Sequence, residues 1–480
     1  MARRTRYEEV RGKLAAGEVQ GIDDLVTYNL DLRRFAGDAI RECKGPETLP
    51  AFYHAIEKVT VLDPTCGSGA FLFAALNILE PLYGACLDRM QGFVDDIDRA
   101  HGAAPDATAG ASPSPAAPHP RKYEDFRKIL ARIDDHPSRS RDYYIHKSII
   151  VNNLYGVDIM EEAVEICKLR LFLTLVAQLE RPEEIEPLPD IDFNIRAGNT
   201  LVGYATYGEL QGALGRRLDF DNVAERIKES AELADRAFQM FHRMQTEQGM
   251  DAGDFAAAKR EVRAHLDRLR AELDRYLAIE YGKDPADAGA FAVWRASHQP
   301  FHWFSEFYGI MNSGGFNVII GNPLYVVYST SKVEYKLNAQ NYTTLQTKNL
   351  YAFVFERSVA LAKTNAPVGL IVQLTILSSE RLPSLQDLLT ARGSVYALPF
   401  PRRPESIFDG VEMPVAIVMS SPQSKGYTTS CVGRLYTLER SVALVLQRHL
   451  IMRGDTLLYR RKGRPGGTGT DRRADTTEGH

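Results

Sequence analysis

Val59-Thr60-Val61-Leu62, then Asp63-Pro64-Thr65-Cys66-Gly67-Ser68-Gly69, then Ala70-Phe71-Leu72-Phe73-Ala74-Ala75-Leu76 is the stretch that decides the fold. A β-branched apolar run, a tight glycine turn and an apolar helix in immediate succession predict the opening of a βαβ unit. Gly67 and Gly69 let the backbone turn sharply and let a ligand approach without a Cβ in the way. No Gly-Lys-Ser/Thr follows, and Leu72 stands where a dinucleotide fingerprint needs its third glycine, so a pyrophosphate cofactor is disfavoured. Taken alone, the turn serves strand-to-helix packing equally well.

Working outward, Leu25, Leu30, Leu32, Phe35, Ala36, Ile40, Phe52 and Ile56 recur at near-helical spacing and predict a helical lead-in over 1–58. Residues 102–120 hold seven Ala and five Pro and read as a disordered surface loop. Ile149-Ile150-Val151 and Leu154-Tyr155-Gly156-Val157-Asp158 predict a second strand, and Glu161 to Leu179 a helix. Two long helices follow. Ile227, Ala231, Ala234, Phe238, Phe241 and then Val262, Leu266, Leu269, Leu273, Tyr276 both step by four and three, the seam of an antiparallel hairpin turning at 246–253. Strand patterns return at 316–320, 368–372 and 415–419.

The composition is that of an ordinary globular protein: 480 residues, 44% hydrophobic, formal charge −4, long enough for about two to four domains. Five cysteines without a C-x-x-C pair argue against a disulfide framework or a structural zinc, and favour a reducing cytoplasm. The N-terminus has no apolar signal core, and no run is read as the roughly 18 apolar residues of a membrane span. Charge is uneven: residues 431–480 carry ten Lys/Arg against five acids, a tail suited to phosphate contacts but more often only solvated.

Three later positions bear on chemistry. Asp158 ends a strand, where an acid can accept ribose hydroxyls or cap the next helix. Ala197-Gly198-Asn199-Thr200-Leu201 offers an amide that can donate and accept in one plane, as a purine edge requires, or simply a turn. Asn322-Pro323-Leu324-Tyr325 directly after a strand is sharper. An exocyclic amine on adenine is a poor nucleophile because its lone pair is delocalised into the ring. The Asn322 side-chain oxygen and the Pro323 carbonyl can accept its two hydrogens, while Tyr325 offers a stacking face for a flipped base.

Taken in order, D-P-T-C-G-S-G-A-F-L, N-N-L-Y-G-V-D-I, D-F-N-I-R-A-G-N-T-L and N-V-I-I-G-N-P-L-Y resemble the adenine-specific N6 DNA methyltransferases of the gamma group. The resemblance is greatest to the methylase portion of combined type II restriction-modification enzymes and bacteriophage-exclusion methylases, over about residues 25–425. Segments 347–358 (T-K-N-L-Y-A-F-V-F-E-R-S) and 400–417 share it. It implies an α/β fold, a Rossmann-like S-adenosylmethionine-dependent methyltransferase sheet of seven mostly parallel strands, spanning 59–425 with a helical hairpin inserted at 206–298. The remainder, 426–480, reads as a truncated or disordered basic segment.

Carried over by position, the resemblance implies a cofactor pocket from Asp63, Pro64, Cys66, Gly67, Gly69, Phe71, Asp158, Ile159 and Asn199. Asn322, Pro323 and Tyr325 would hold the target adenine of double-stranded DNA, with Phe408 a second aromatic upon it. No metal is implied. A separate recognition or restriction subunit is a further partner, because relatives carry a nuclease domain before the methylase and a recognition domain after it, and neither is legible here.

The family pattern is N-P-P-Y, so Leu324 is a departure that restores a free φ angle and adds an N–H. Two other readings stay open. Protein glutamine methyltransferases use the same N-P-P-Y logic, on shorter chains; a remnant binding only cofactor or a partner is the non-enzymatic reading. His298 and His302 step by four but have Pro300 between them and no third ligand, so no metal face is expected. The aromatics Phe301, Trp303, Phe304, Phe307 and Tyr308 read as core.

Overall fold

The computed structural model describes residues 12–13, 15–17, 32–102, 123–134, 140–181, 189–215, 223–246, 252–329, 333, 335–338, 341–377, 382–400, 413–422, 427–428, 448–453 and 456–461. The loop expected at 102–120 lies, except for Gly102, outside the described residues, as do Phe408 and the hairpin turn at 247–251.

Eight strands form one sheet: β1 (Val61–Asp63), β2 (Leu154–Asp158), β3 (Ile195–Ala197), β4 (Val318–Gly321), β5 (Val368–Gln373), β6 (Ser394–Phe400), β7 (Val415–Ser421) and β8 (Tyr427–Thr428). Their order is β3-β2-β1-β4-β5-β7-β6-β8. The first five are mutually parallel, and β7 runs antiparallel between β5 and β6. This is the α/β methyltransferase-type sheet expected from the sequence, with the two-residue β8 as an eighth strand beside β6.

Alternation along the strands explains why they read as unbroken apolar runs. Leu62, Tyr155, Val157 and Ile319 enter one core, while Val61, Leu154, Ile195, Val318 and Ile320 face the other. A parallel sheet covered on both faces demands this. Polar clamps set the register at the amino ends. The Asn317 side-chain oxygen accepts from the Thr60 N–H (3.1 Å) and hydroxyl (3.0 Å), and the Asn153 amide donates to the Ile56 (2.8 Å) and Val59 (2.7 Å) carbonyls.

Three expectations need correction. Ile149-Ile150-Val151 lie in the helix Arg141–Asn152, not in a strand: the Ser140 hydroxyl caps it by accepting from the Tyr143 N–H, and a short apolar run has no period that separates the two states. Within 426–480, read as truncated or disordered, Arg448–Arg453 and Thr456–Arg461 pair as an antiparallel ribbon. The signal was present, because Gly454-Asp455 stands between two apolar runs. Finally, Ala70–Arg99 is one helix long and apolar enough to cross a membrane by length and composition, contrary to the expectation that no such run exists. Core packing accounts for its apolarity, since Leu72, Leu76, Leu79, Tyr83, Cys86, Leu87, Met90 and Val94 are buried.

Between β3 and β4, the helices Val223–Thr246 and Ala252–Glu280 pack side by side. Ile227, Ala231, Ala234 and Phe241 of the first and Val262, Leu266, Leu269 and Leu273 of the second are buried. Buried charge pairs fasten this insertion to the chain preceding β4. Asp274 receives His302 (3.0 Å) and Arg295 (2.7 Å), and Glu306 receives Arg196 (2.6 Å) and Arg270 (2.8 Å). Burial pushes the Glu306 carboxyl up, but the two guanidiniums hold it below the usual carboxylate range. Phe301, Trp303, Phe304, Phe307 and Tyr308 are core, as the sequence suggested.

Candidate active site

The chain leaves β1 toward β2 and β3 on one side, then returns to β4 on the other, so a crevice opens at the carboxyl ends of β1 and β4, the usual place for a ligand in such sheets. The expected residues converge there. Asp63 ends β1, Asp158 ends β2, Asn199 follows β3 and Asn322 follows β4.

The turn after β1 is built on positive φ, +49° at Gly67 and +86° at Gly69. A Cβ on Gly69 would lie 2.5 Å from the Cys167 sulfur, so this glycine serves close packing as well as conformation. Asp158 braces the turn from the neighbouring strand: one carboxylate oxygen accepts from the Gly67 N–H at 2.8 Å and the other from the Met160 N–H at 2.9 Å. Pro64 and Cys66 are buried, whereas Gly67, Phe71 and Ile159 are half-buried at the rim. A hydrogen bond with Cys167, together with burial, raises the Cys66 thiol strongly, so it is a packing group rather than a nucleophile.

Asp63 is fully buried and accepts from the Thr65 N–H at 3.0 Å. Burial pushes its carboxyl up to about 7, with repulsion from Asp158 adding to the rise and the Thr65 hydrogen bond opposing it. Its other neighbour is Gly321, where a Cβ would come within 2.7 Å of the Asp63 Oδ1. The end of β4 can therefore lie against the acid only because residue 321 has no side chain.

Asn199 is buried between two braces. Its N–H donates to the carbonyl of Gln299, which is held at φ +43°, and its side-chain oxygen accepts from the Leu201 N–H at 3.0 Å. Its amide nitrogen is buried without a partner among the described residues. An orphaned buried donor is costly unless a ligand accepts from it, and a purine ring nitrogen is such an acceptor. Sequence reasoning assigned no role to Thr200, whose hydroxyl donates to the Pro64 carbonyl and whose own carbonyl accepts from the Trp303 indole (3.2 Å), tying the two loops together.

At the mouth, the Tyr325 hydroxyl donates to the Asn322 side-chain oxygen at 2.5 Å. Burial pushes the Tyr325 phenol up to about 12, so it remains a donor at neutral pH. Its ring stands edge-on to Tyr351 with centroids 6.3 Å apart. Pro323 is buried and Leu324 is 65% exposed. Among the described residues no His/Cys/Asp/Glu group suited to a metal occurs; His302 is engaged by Asp274, and His298 by Ser297 and the Trp294 carbonyl.

The sequence pattern of the Eco57I restriction-modification methylase family matches residues 152–396, half of the chain. The chain belongs to this family. The DNA-methyltransferase domain of the MmeI family matches residues 39–188, so the two matches together cover the crevice from β1 to β6. A curated relative of Methanocaldococcus jannaschii, named as a type II restriction enzyme and methyltransferase, is 27% identical over 320 residues, 58% of this chain. The methylase chain spans only 23% of that relative's length. Among solved structures, the type IIL restriction-modification enzyme MmeI in complex with DNA aligns at 10% identity over 83% of this chain and 36% of its own, TM-score 0.34. The EcoKI M protein of a type I restriction enzyme aligns at 9% identity over 84% and 53%, TM-score 0.32.

Proposed function

We propose that this methylase transfers a methyl group from S-adenosylmethionine to the N6 amine of an adenine flipped out of double-stranded DNA, serving restriction-modification or phage defence in the cytoplasm. The observation that carries this reading is the placement of Asn322, Pro323 and Tyr325 immediately after β4, beside the Asp63 turn at the switch in strand order. The positive-φ glycines, the Asp158 brace and the orphaned Asn199 amide fit that cofactor. When bound, it supplies a methyl group already activated on a sulfonium.

The chain's own work is positioning and polarisation. An amide oxygen has two lone pairs. The Tyr325 hydroxyl takes one on Asn322 and fixes the amide's orientation, leaving the other for one amine hydrogen. The Pro323 carbonyl takes the second hydrogen, which draws the nitrogen toward tetrahedral geometry and frees its lone pair. The Tyr325 ring gives the base a face to stack on. A separate recognition or restriction subunit would supply base reading. The test is incorporation of labelled methyl from S-adenosylmethionine into unmethylated bacterial DNA: transfer by the native protein and its loss in Asn322→Ala support the reading, and cofactor binding without transfer refutes it.

A further inference from the structure

The helix Leu350–Leu361 touches both halves of the site. At its first turn the Leu350 N–H donates to the Val326 carbonyl at 3.1 Å, and the Tyr351 ring meets Tyr325 edge-on, so this end is fixed to the continuation of the catalytic loop. About 9 Å further along the helix axis stands Arg357, whose side chain is buried. It lies in segment 347–358, one of the two later stretches that share the family resemblance.

The guanidinium spreads its donors over three acceptors. Nη1 donates to both Glu209 carboxylate oxygens (3.2 and 3.1 Å), Nη2 to the Gly203 carbonyl (3.4 Å), and Nε and Nη2 to the Tyr342 hydroxyl (3.2 and 2.9 Å). Each acceptor leads back to the chain that follows Asn199. The Tyr342 hydroxyl donates in turn to the Leu201 carbonyl at 2.7 Å, and Glu209 accepts from the Ala205 N–H at 2.7 Å. Leu201 is the residue whose N–H holds the Asn199 side-chain oxygen. On its other side the loop lies against Phe301: a Cβ on Gly203, where φ is +129°, would come within 2.1 Å of the Phe301 carbonyl oxygen. The loop that carries the orphaned Asn199 amide is thus clamped between Phe301 and Arg357. A buried ion pair adds little net stability over apolar side chains of the same size, because desolvation offsets the attraction. What the planar fork supplies, and an apolar residue cannot, is direction toward three acceptors held at once.

We infer that Arg357, through Tyr342, is a positioning residue that fixes the cofactor loop at Asn199 relative to the catalytic loop at 322–325, and so sets the distance from methyl donor to target amine. The inference rests on the DNA-methylation reading above and names what holds the two halves of that site in register. A small displacement between them costs rate even with both ligands bound, since transfer needs the reacting atoms aligned and within about 3 to 3.5 Å.

The test compares native protein with Arg357→Lys, Tyr342→Phe and the double variant. Melting temperature, S-adenosylmethionine affinity by calorimetry, and kcat and KM for unmethylated bacterial DNA at saturating cofactor are measured for each. Lysine keeps the charge toward Glu209 but cannot also span Tyr342 and Gly203. Phenylalanine keeps the ion pair and removes only the relay to Leu201, so it decides the matter if Arg357→Lys does not fold. Each single variant is expected to bind cofactor about 3- to 10-fold more weakly and to lose at least about tenfold in saturated kcat, with KM for DNA unchanged. The double variant is expected to lose no more kcat than the worse single one, because both act on one clamp. Native cofactor affinity and native saturated kcat in the variants, whatever their melting temperatures, would make Arg357 a purely structural residue and overturn the inference alone. Losses that multiply in full in the double variant would overturn it too. Native protein that binds cofactor but transfers nothing to DNA overturns the underlying reading, and the inference with it.

Discussion

The Tyr325 hydroxyl and the Asn322 side-chain oxygen are hydrogen-bonded at 2.5 Å, so in the proposed mechanism the group that would stack the base also sets the group that would polarise it. Tyr325→Phe separates the two duties. With the ring kept and the hydroxyl gone, kcat is expected to fall about 3- to 10-fold, the worth of one net hydrogen bond, with little change in KM for DNA. Tyr325→Ala removes the stacking face as well, and its kcat/KM is expected to fall about tenfold further. Steady-state kinetics of methyl transfer checks both; equal loss in the two variants would mean that the hydroxyl does not orient Asn322.

Asp63 makes stability depend on pH in an unusual direction. Its carboxyl stands near 7 in the folded protein against 3.8 ordinarily. A raised folded-state value favours the protonated form, so this contribution is whole below about 4 and is lost as pH rises through about 7. Asp63→Asn is expected to flatten that dependence and to be the more stable protein at pH 8, by up to about 4 kcal/mol. Urea unfolding of both proteins at pH 5 and pH 8 decides it; parallel pH profiles would contradict a carboxyl raised chiefly by burial.

Leu324 occupies the position of the family's second proline with its side chain 65% exposed. Leu324→Pro is expected to fold normally, to gain up to about 1 kcal/mol from the stiffer unfolded chain, and to raise kcat by fixing the loop. A drop in melting temperature would show that the native backbone at 324 is incompatible with the ring.

Thr200 links loops far apart in sequence. Thr200→Val keeps the shape but strands the Pro64 carbonyl; a loss of about 1 to 3 kcal/mol in stability and weaker S-adenosylmethionine binding are expected. Thr200→Ser should restore both. Calorimetry of cofactor binding together with unfolding measures the effect.

What could be read from sequence follows from range. The β1 turn was legible because glycines and β-branched residues act locally, and the helical hairpin because its four-and-three stepping is a local period. Asp158 was read as a ribose acceptor or a helix cap; that it braces Gly67, 91 positions away, is a tertiary fact no local pattern carries. The same holds for Gly321, whose reason is the Asp63 carboxylate, and for Thr200, whose hydroxyl donates to the Pro64 carbonyl. The run Ile149-Ile150-Val151 misled because burial erases the period that distinguishes helix from strand.

The central claim is tested most directly by identifying the methylated nucleoside. Native protein, labelled S-adenosylmethionine and unmethylated bacterial DNA are incubated, and the DNA is digested and resolved. The expected result is label in N6-methyladenine alone, absent with Asn322→Ala. Label on cytosine, or none from a protein that binds the cofactor, would contradict an adenine held by Asn322, Pro323 and Tyr325.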